Sequence, residues 1–207
     1  MDKTGDWDMQ RALEQELGQE VYLIHRLDRP VGGVVVFAKT AEAAAALNRQ
    51  VQQRGMKKVY LAVVEGETAS EETLKDILWK DSRTNQSKVV AEGTKNAKKA
   101  ELSYKTLQQL HRQQETLSLV QVTLKTGRHH QIRVQFSSRN WPLYGDRKYG
   151  AKRRYGVTGF GLFAHQLSFV HPKSGQWMTF TAVPQGEPFS FFMREGGMED
   201  GETEKMS

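Results

Sequence analysis

Two stretches of strict alternation constrain this chain more than any other feature. Leu102, Tyr104 and Thr106 alternate with Ser103 and Lys105, and Val120, Val122 and Leu124 alternate with Gln121 and Thr123. A period of two places each apolar set on one face of an extended strand, so the two stretches predict a pair of antiparallel strands with one buried face. Further apolar runs predict strands over 21–24, 34–38, 58–64, 162–170 and 177–183. Helical spacing occurs in only three places. Over 7–17, Met9, Leu13 and Leu17 recur every four positions ahead of Gly18. Thr40 can cap a helix over 41–54, with Glu42 suiting the positive end of its dipole and Gly55 closing it. A third helix opens at Thr126-Gly127, carries Ile132 and Phe136 on one face, and ends near Asn140. The polar stretch 65–99 reads as loops with short strands near 77–79 and 88–91. No βαβ rhythm accompanies the strands, so the class is α+β.

A length of 207 residues suits one folded unit. That unit is expected over 1–194, followed by a Gly- and Glu-rich tail over 195–207 that reads as disordered. The formal charge is +6, but the tail holds five acids and one lysine, so the body before it carries +10. A body that basic is suited to a polyanionic partner. The absence of cysteine excludes disulfides, thiolate metal ligands and a cysteine nucleophile together. No apolar run reaches the ~18 residues of a membrane span, and Met1-Asp2-Lys3-Thr4-Gly5-Asp6 lacks the basic and apolar regions of a secretory leader. A cytoplasmic monomer is the expectation.

Between Lys125 and Arg154 lie nine lysines and arginines and one acid, Asp146, with Phe136, Trp141, Tyr144 and Tyr149 interleaved. Cations for phosphates and flat rings for bases are what RNA recognition requires, although such a run can also be a solvated basic face. Arg128, His129 and His130 fall at the start of the predicted third helix, where the macrodipole disfavours positive charge by roughly 0.3–1 kcal/mol each. An anion is therefore expected beside them, either a phosphate or a carboxylate from elsewhere in the chain. Asp28 is a candidate carboxylate. It sits in a turn constrained by Pro30 and Gly32-Gly33, directly after a buried strand, between Arg26 and Arg29. Nearby positive charge favours its ionised, nucleophilic form. An ion-paired aspartate in a turn is also an ordinary structural feature.

Four segments in order change the weighing: His25-Arg26-Leu27-Asp28 before a glycine turn, Lys58-Val59-Tyr60-Leu61-Ala62, Thr126-Gly127-Arg128-His129-His130-Gln131-Ile132-Arg133, and Gly145-Asp146-Arg147-Lys148-Tyr149-Gly150. Together they resemble the RluA-type pseudouridine synthases, over about Val21 to Pro184. The resemblance implies a long, mixed, mostly antiparallel sheet flanked by a few helices, with an RNA-binding cleft across its middle. It implies isomerisation of uridine to pseudouridine in ribosomal or transfer RNA, with no cofactor and no metal. It places the essential aspartate at Asp28, the active-site tyrosine at Tyr60 and the aspartate's basic partner at Arg128. Arg26 falls where relatives fill the gap left by a flipped uridine. Ile132 falls where they pack against the base, and His130 and Arg133 join the RNA-binding set.

Some positions depart from the family pattern. Val31-Gly32-Gly33 stands where relatives usually have Thr-Ser-Gly, so a hydroxyl that could brace the loop is absent; Leu102 replaces a common threonine, and Leu162-Phe163-Ala164 replaces Leu-His-Ala. Relatives carry a strand ending in Lys-Pro ahead of the first helix, so an N-terminal truncation is expected. That raises one rival, a catalytically impaired RNA-binding domain derived from a synthase. A nucleoside hydrolase would need a second carboxylate; Asp146 is available, but its Gly-rich context suggests a structural turn. A metal site at His129-His130 is disfavoured because adjacent helical residues point about 100° apart.

Overall fold

The computed structural model describes residues 9–112, 115–152 and 159–192. Arg153, Arg154 and the tail over 195–207 lie outside the described residues. The elements run α1 (Met9–Leu17), β1 (Tyr22–Leu23), β2 (Gly32–Gly33), β3 (Phe37–Ala38), α2 (Ala41–Gln52), β4 (Lys57–Glu65), β5 (Glu71–Asp81), β6 (Gln86–Val89), β7 (Lys98–Arg112), β8 (Glu115–Leu124), α3 (Gln131–Ser137), β9 (Leu162–Val170) and β10 (Trp177–Thr181). Seven strands form one sheet in the order β10-β9-β4-β8-β7-β5-β6, and β2 joins it on β9. All neighbours are antiparallel except β2 and β9, which run parallel. The mixed, mostly antiparallel sheet with three helices is the α+β architecture expected.

The alternating pair is the sheet's centre. Leu102 lies opposite Leu124, Tyr104 opposite Val122 and Thr106 opposite Val120. Strand β4 is covered on both faces, which is why it reads as an unbroken apolar run rather than an alternation. Its Tyr60, Ala62 and Val64 join Leu102, Val122 and, from α3, Ile132 and Phe136 in one core. Leu61 and Val63 face the opposite side, against Leu117, Leu119, Tyr144 and Phe189. Helix α2 packs Ala44 and Leu47 onto Leu167 and Phe169 of β9. It is capped as expected, the Thr40 hydroxyl accepting from the Ala43 amide at 3.2 Å. At its other end Arg54, not Gly55, takes the left-handed backbone, with φ 58°.

Three expectations need correction. The stretch read as loops contains an eleven-residue strand, β5. Only Leu74 and Leu78 of β5 are buried, so it carries no apolar alternation. Its register is instead marked by opposite charges across the ladder to β7, Glu71 against Lys105 and Lys75 against Glu101. The third helix begins at Gln131, not at Thr126. A side-chain network holds the preceding turn open: the Thr126 hydroxyl donates to Gln131 Oε1 at 2.8 Å, the same oxygen accepts from the Arg128 amide at 2.9 Å, and Thr126 Oγ1 accepts from the Glu101 amide at 2.9 Å. His130 then takes φ 51°, a left-handed conformation that stops the helix from extending backwards. The predicted strand over 34–38 is likewise shorter: only Phe37–Ala38 forms a strand, against β1, while Gly32–Gly33 ahead of it pairs with β9.

Candidate active site

The turn after β1 is held at both ends. The Val31 amide donates to the Asp28 carbonyl at 2.8 Å, and Val31 is itself buried in the main core. The apolar side chain thus anchors the turn where a hydroxyl is missing. Gly33 then lies against β9 so closely that a Cβ would sit 2.2 Å from the Ala164 carbonyl oxygen, at φ 117°. Asp28 is delivered to the floor of a cleft of about 1360 Å³, with its side chain 28% exposed.

The cation against Asp28 is Arg133, whose Nη1 lies 3.2 Å from Asp28 Oδ2. Arg128 is not the partner expected of it. With the helix starting at Gln131, Arg128 belongs to the preceding turn, and its Nε donates to the Lys99 carbonyl at 3.0 Å, although it still lines the cleft. Arg133 is aimed by a second carboxylate. Its Nε and Nη2 donate to the two oxygens of Asp146 at 2.7 and 2.8 Å, a bidentate pair that leaves Nη1 free for Asp28. The guanidinium also lies 5.0 Å from the Tyr149 ring centroid and 5.3 Å from that of Phe160. Burial works against its charge, but hydrogen bonds and attraction from Asp146 and Asp28 more than offset this and raise its pKa. Asp146 is 1% exposed. Both its oxygens are committed to Arg133, so it is not placed to activate a water for hydrolysis.

Tyr60 stands on β4 where the ladder to β9 shifts register between Val59 and Tyr60, a bulge that re-aims its side chain. It is buried and lines the cleft. Its pKa is pushed up to about 12, first by burial and then by the Asp28 carboxylate, so the phenol is neutral in the resting cleft. Ile132 lines the same cavity from α3, and Arg26 lies exposed at its edge. His130 Nε2 lies 3.7 Å from Asp28 Oδ2, and its Nδ1 is 2.8 Å from the Tyr149 hydroxyl. His129 and His130 stack with ring centroids 3.8 Å apart.

Asp28, Tyr60, Arg26, Arg128, His130, Ile132 and Arg133 therefore all line one cleft. The sequence readings missed Asp146 and Tyr149 as site residues, and also Ser87, whose amide donates to the Tyr149 hydroxyl. The signal for the first two was present in Gly-Asp-x-x-Tyr-Gly, which places both in one tight turn ending in a short 3-10 helix, Arg147–Tyr149.

The cleft crosses the sheet. Its lining runs from Trp177 on β10 through Leu162, Tyr60, Thr123 and Leu102 to Lys80 on β5. With strands ~4.8 Å apart this is a track of about 25 Å. Ten lysines and arginines line it against two acids, Asp28 and Glu101, an imbalance that calls for a polyanion.

Comparison with known proteins agrees with this geometry. A family model described as RNA pseudouridylate synthase matches residues 3–138. The chain is 33% identical over 198 residues to tRNA pseudouridine synthase C of Haemophilus ducreyi, covering 88% of this chain and 80% of that protein. It is 33% identical over 171 residues to ribosomal large subunit pseudouridine synthase D of Neisseria meningitidis serogroup B, covering 77% of this chain and 44% of the relative. Several other relatives are likewise spanned over about half their length. The solved structure of human RNA Pseudouridylate Synthase Domain Containing 1 superposes with a TM-score of 0.71 at 22% identity, covering 93% of this chain and 87% of that one, and shares its fold. The chain belongs to the RNA pseudouridylate synthase family, in its RluA-type branch.

Proposed function

We propose that this chain isomerises uridine to pseudouridine in a transfer or ribosomal RNA, with Asp28 acting on the ribose of the target. The observation that carries the reading is a partly exposed carboxylate on the floor of a cationic cleft, paired with an arginine that a second, buried carboxylate holds in place. The reaction conserves its atoms. The bond from N1 to the sugar breaks, the uracil turns while bound, C5 bonds to the same sugar carbon, and the proton lost from C5 is balanced by one gained at N1. Asp28 supports the first step, either as nucleophile or as the base that permits a glycal intermediate. Arg133 pairs with the carboxylate and orients it. Ile132 and the Tyr60 ring form walls for the flipped base, and a neutral phenol can relay the C5 proton only by releasing its own. Reaching the base requires it to leave its stack, at a cost of a few kcal/mol; Arg26, at the cleft edge, is placed to fill the gap.

The RNA is proposed to lie along the track from Trp177 to Lys80, its phosphates against Lys57, Lys58, Arg128 and Lys148. The enzyme is proposed to work as a cytoplasmic monomer; among the described residues no helix is long and apolar enough to cross a membrane. The test is to incubate the full chain with total RNA from cells lacking it and to map pseudouridine, using Asp28→Asn as control. A site formed by the wild type and absent with Asp28→Asn is the expected result. Equal signal from both would remove Asp28 from the mechanism.

A further inference from the structure

Hydrogen-bond bookkeeping around the two adjacent histidines determines where their protons sit. The Ser87 hydroxyl has one proton and donates it to the His129 carbonyl at 2.7 Å. The second contact of that hydroxyl, 2.9 Å from His129 Nδ1, must then have the imidazole as donor. Tyr149 shows the converse. Its hydroxyl oxygen accepts from the Ser87 amide at 2.7 Å, and its remaining neighbour, 2.8 Å away, is His130 Nδ1. Tyr149 is buried, so its proton needs an acceptor, and Nδ1 is the acceptor present. A neutral His130 that accepts at Nδ1 carries its proton on Nε2. Nε2 is the atom 3.7 Å from Asp28 Oδ2. The alternative tautomer would point a lone pair at the carboxylate and leave the phenolic proton without a partner.

We propose that His130 is a positioning residue for the isomerisation: a neutral imidazole, held in one tautomer by Tyr149 and Ser87, whose Nε2–H restrains Asp28. The inference rests on Asp28 being the carboxylate of the reaction. Arg133 alone leaves Asp28 free to swing about one ion pair, and a second donor at the same Oδ2 holds that oxygen in place. The 3.7 Å separation is longer than a hydrogen bond, and such contacts shorten when substrate fills a site. A neutral donor also suits the local charge. The charged groups facing His130 are Arg133, Lys148 and Lys80 on the cationic side and Asp28 on the anionic, with the His129 ring stacked against it. Burial first, and then those cations, push its pKa down to about 3, so the ring does not become a second cation that would neutralise Asp28. His130 holds this network from a left-handed backbone, with φ 51°.

The test combines a spectroscopic and a kinetic readout on the full chain. Nitrogen-15 spectra of histidine-labelled protein report which ring nitrogen carries the proton, and His130→Gln identifies the signal. The expected result is Nε2–H for His130, unchanged between pH 5 and 8, and Nδ1–H for His129 at neutral pH, with Tyr149→Phe releasing His130 into a mixture of tautomers. For rate, pseudouridine formation is followed with enzyme in excess over total RNA from cells lacking the protein. The Gln side chain places an N–H near the Nε2 position and Asn near Nδ1. His130→Gln should stay within about threefold of wild type, and His130→Asn should lose about 10–100-fold in rate, a larger loss than that in RNA affinity. A proton on His130 Nδ1, a cationic ring at neutral pH, or equal rates in the two variants overturns the proposal. Failure of the wild-type chain to form pseudouridine overturns both this proposal and the activity it rests on; equal rates in two active variants overturns this one alone.

Discussion

Asp146 shows how a residue far from the substrate governs one that meets it. Both its oxygens are used on Arg133, and that geometry directs Nη1 to Asp28. Asp146→Ala should therefore destabilise the protein by about 3–5 kcal/mol, since it leaves a buried guanidinium short of a partner. Denaturant unfolding measures the first effect, and the rate of pseudouridine formation should fall with it. His25 makes a different prediction. Both its ring nitrogens are buried without a hydrogen-bond partner among the described residues, and burial first, then nearby Lys58, push its pKa down to about 4. Its folded pKa is depressed below the ordinary histidine value of about 6.5, so the unfolded chain binds the proton first as pH falls. Stability is then full above about pH 6.5 and declines towards pH 4, by an amount on the order of 3 kcal/mol. His25→Leu should flatten that part of the stability profile, as read from unfolding midpoints between pH 4 and 7. An unchanged slope would mean that other groups cause it.

At the scale of elements, the decisive contact is between β2 and β9. It is two residues long, yet it fixes where the Asp28 turn lies relative to Tyr60, because Ala164 of β9 is also the partner of Tyr60 across β4. Gly33→Ala should strain the backbone by about 1–3 kcal/mol and push β2 off β9. The expected outcome is a lowered melting temperature together with a loss of activity larger than the stability change explains. Little of this element was legible beforehand. The pair Gly32-Gly33 announced a break in regular structure, but not that the break is itself a strand, because pairing to a distant chain segment leaves no local periodicity. Strand β5 was hidden for a related reason: it is held by backbone ladders to β7 and β6, and pairing with distant segments leaves no mark on its own residues. The alternating strands β7 and β8 were plain because each needs only its own period to declare a buried face.

For the whole molecule, the sheet's width sets the length of the RNA track. Trp177 lies at its β10 end, 56% exposed, and Arg26, Lys57 and Lys58 line the same cleft with no ion pair among the described residues. A large exposed ring beside uncompensated cations suits an unpaired nucleotide next to the target. Trp177→Ala should weaken binding of a single-stranded oligouridylate about tenfold, and Trp177→Phe should restore most of it, since base stacking is tolerant of which ring supplies the face. Filter binding over a range of salt checks this. The logarithmic salt slope should be the same in wild type and Trp177→Ala, whereas Lys58→Gln should reduce it by about 0.7 for a lost phosphate contact. Equal affinity of Trp177→Ala and wild type would place the strand elsewhere.

The sequence by itself determined the class of fold, the site motifs and their chemistry, because alternation, glycine turns and charge excess are local properties that each segment carries alone. Asp28 could be singled out in that way, whereas Tyr60 and Arg133 came only from the resemblance to a known family. Which arginine meets Asp28 was decided only by tertiary structure: Arg128 and Arg133 lie five residues apart, and the start of a helix at Gln131 separates their directions. That start depends on Thr126 bonding to β7 and on the left-handed turn at His130. Direction in space belongs to the packed chain, where distant strands choose the point at which a helix can begin.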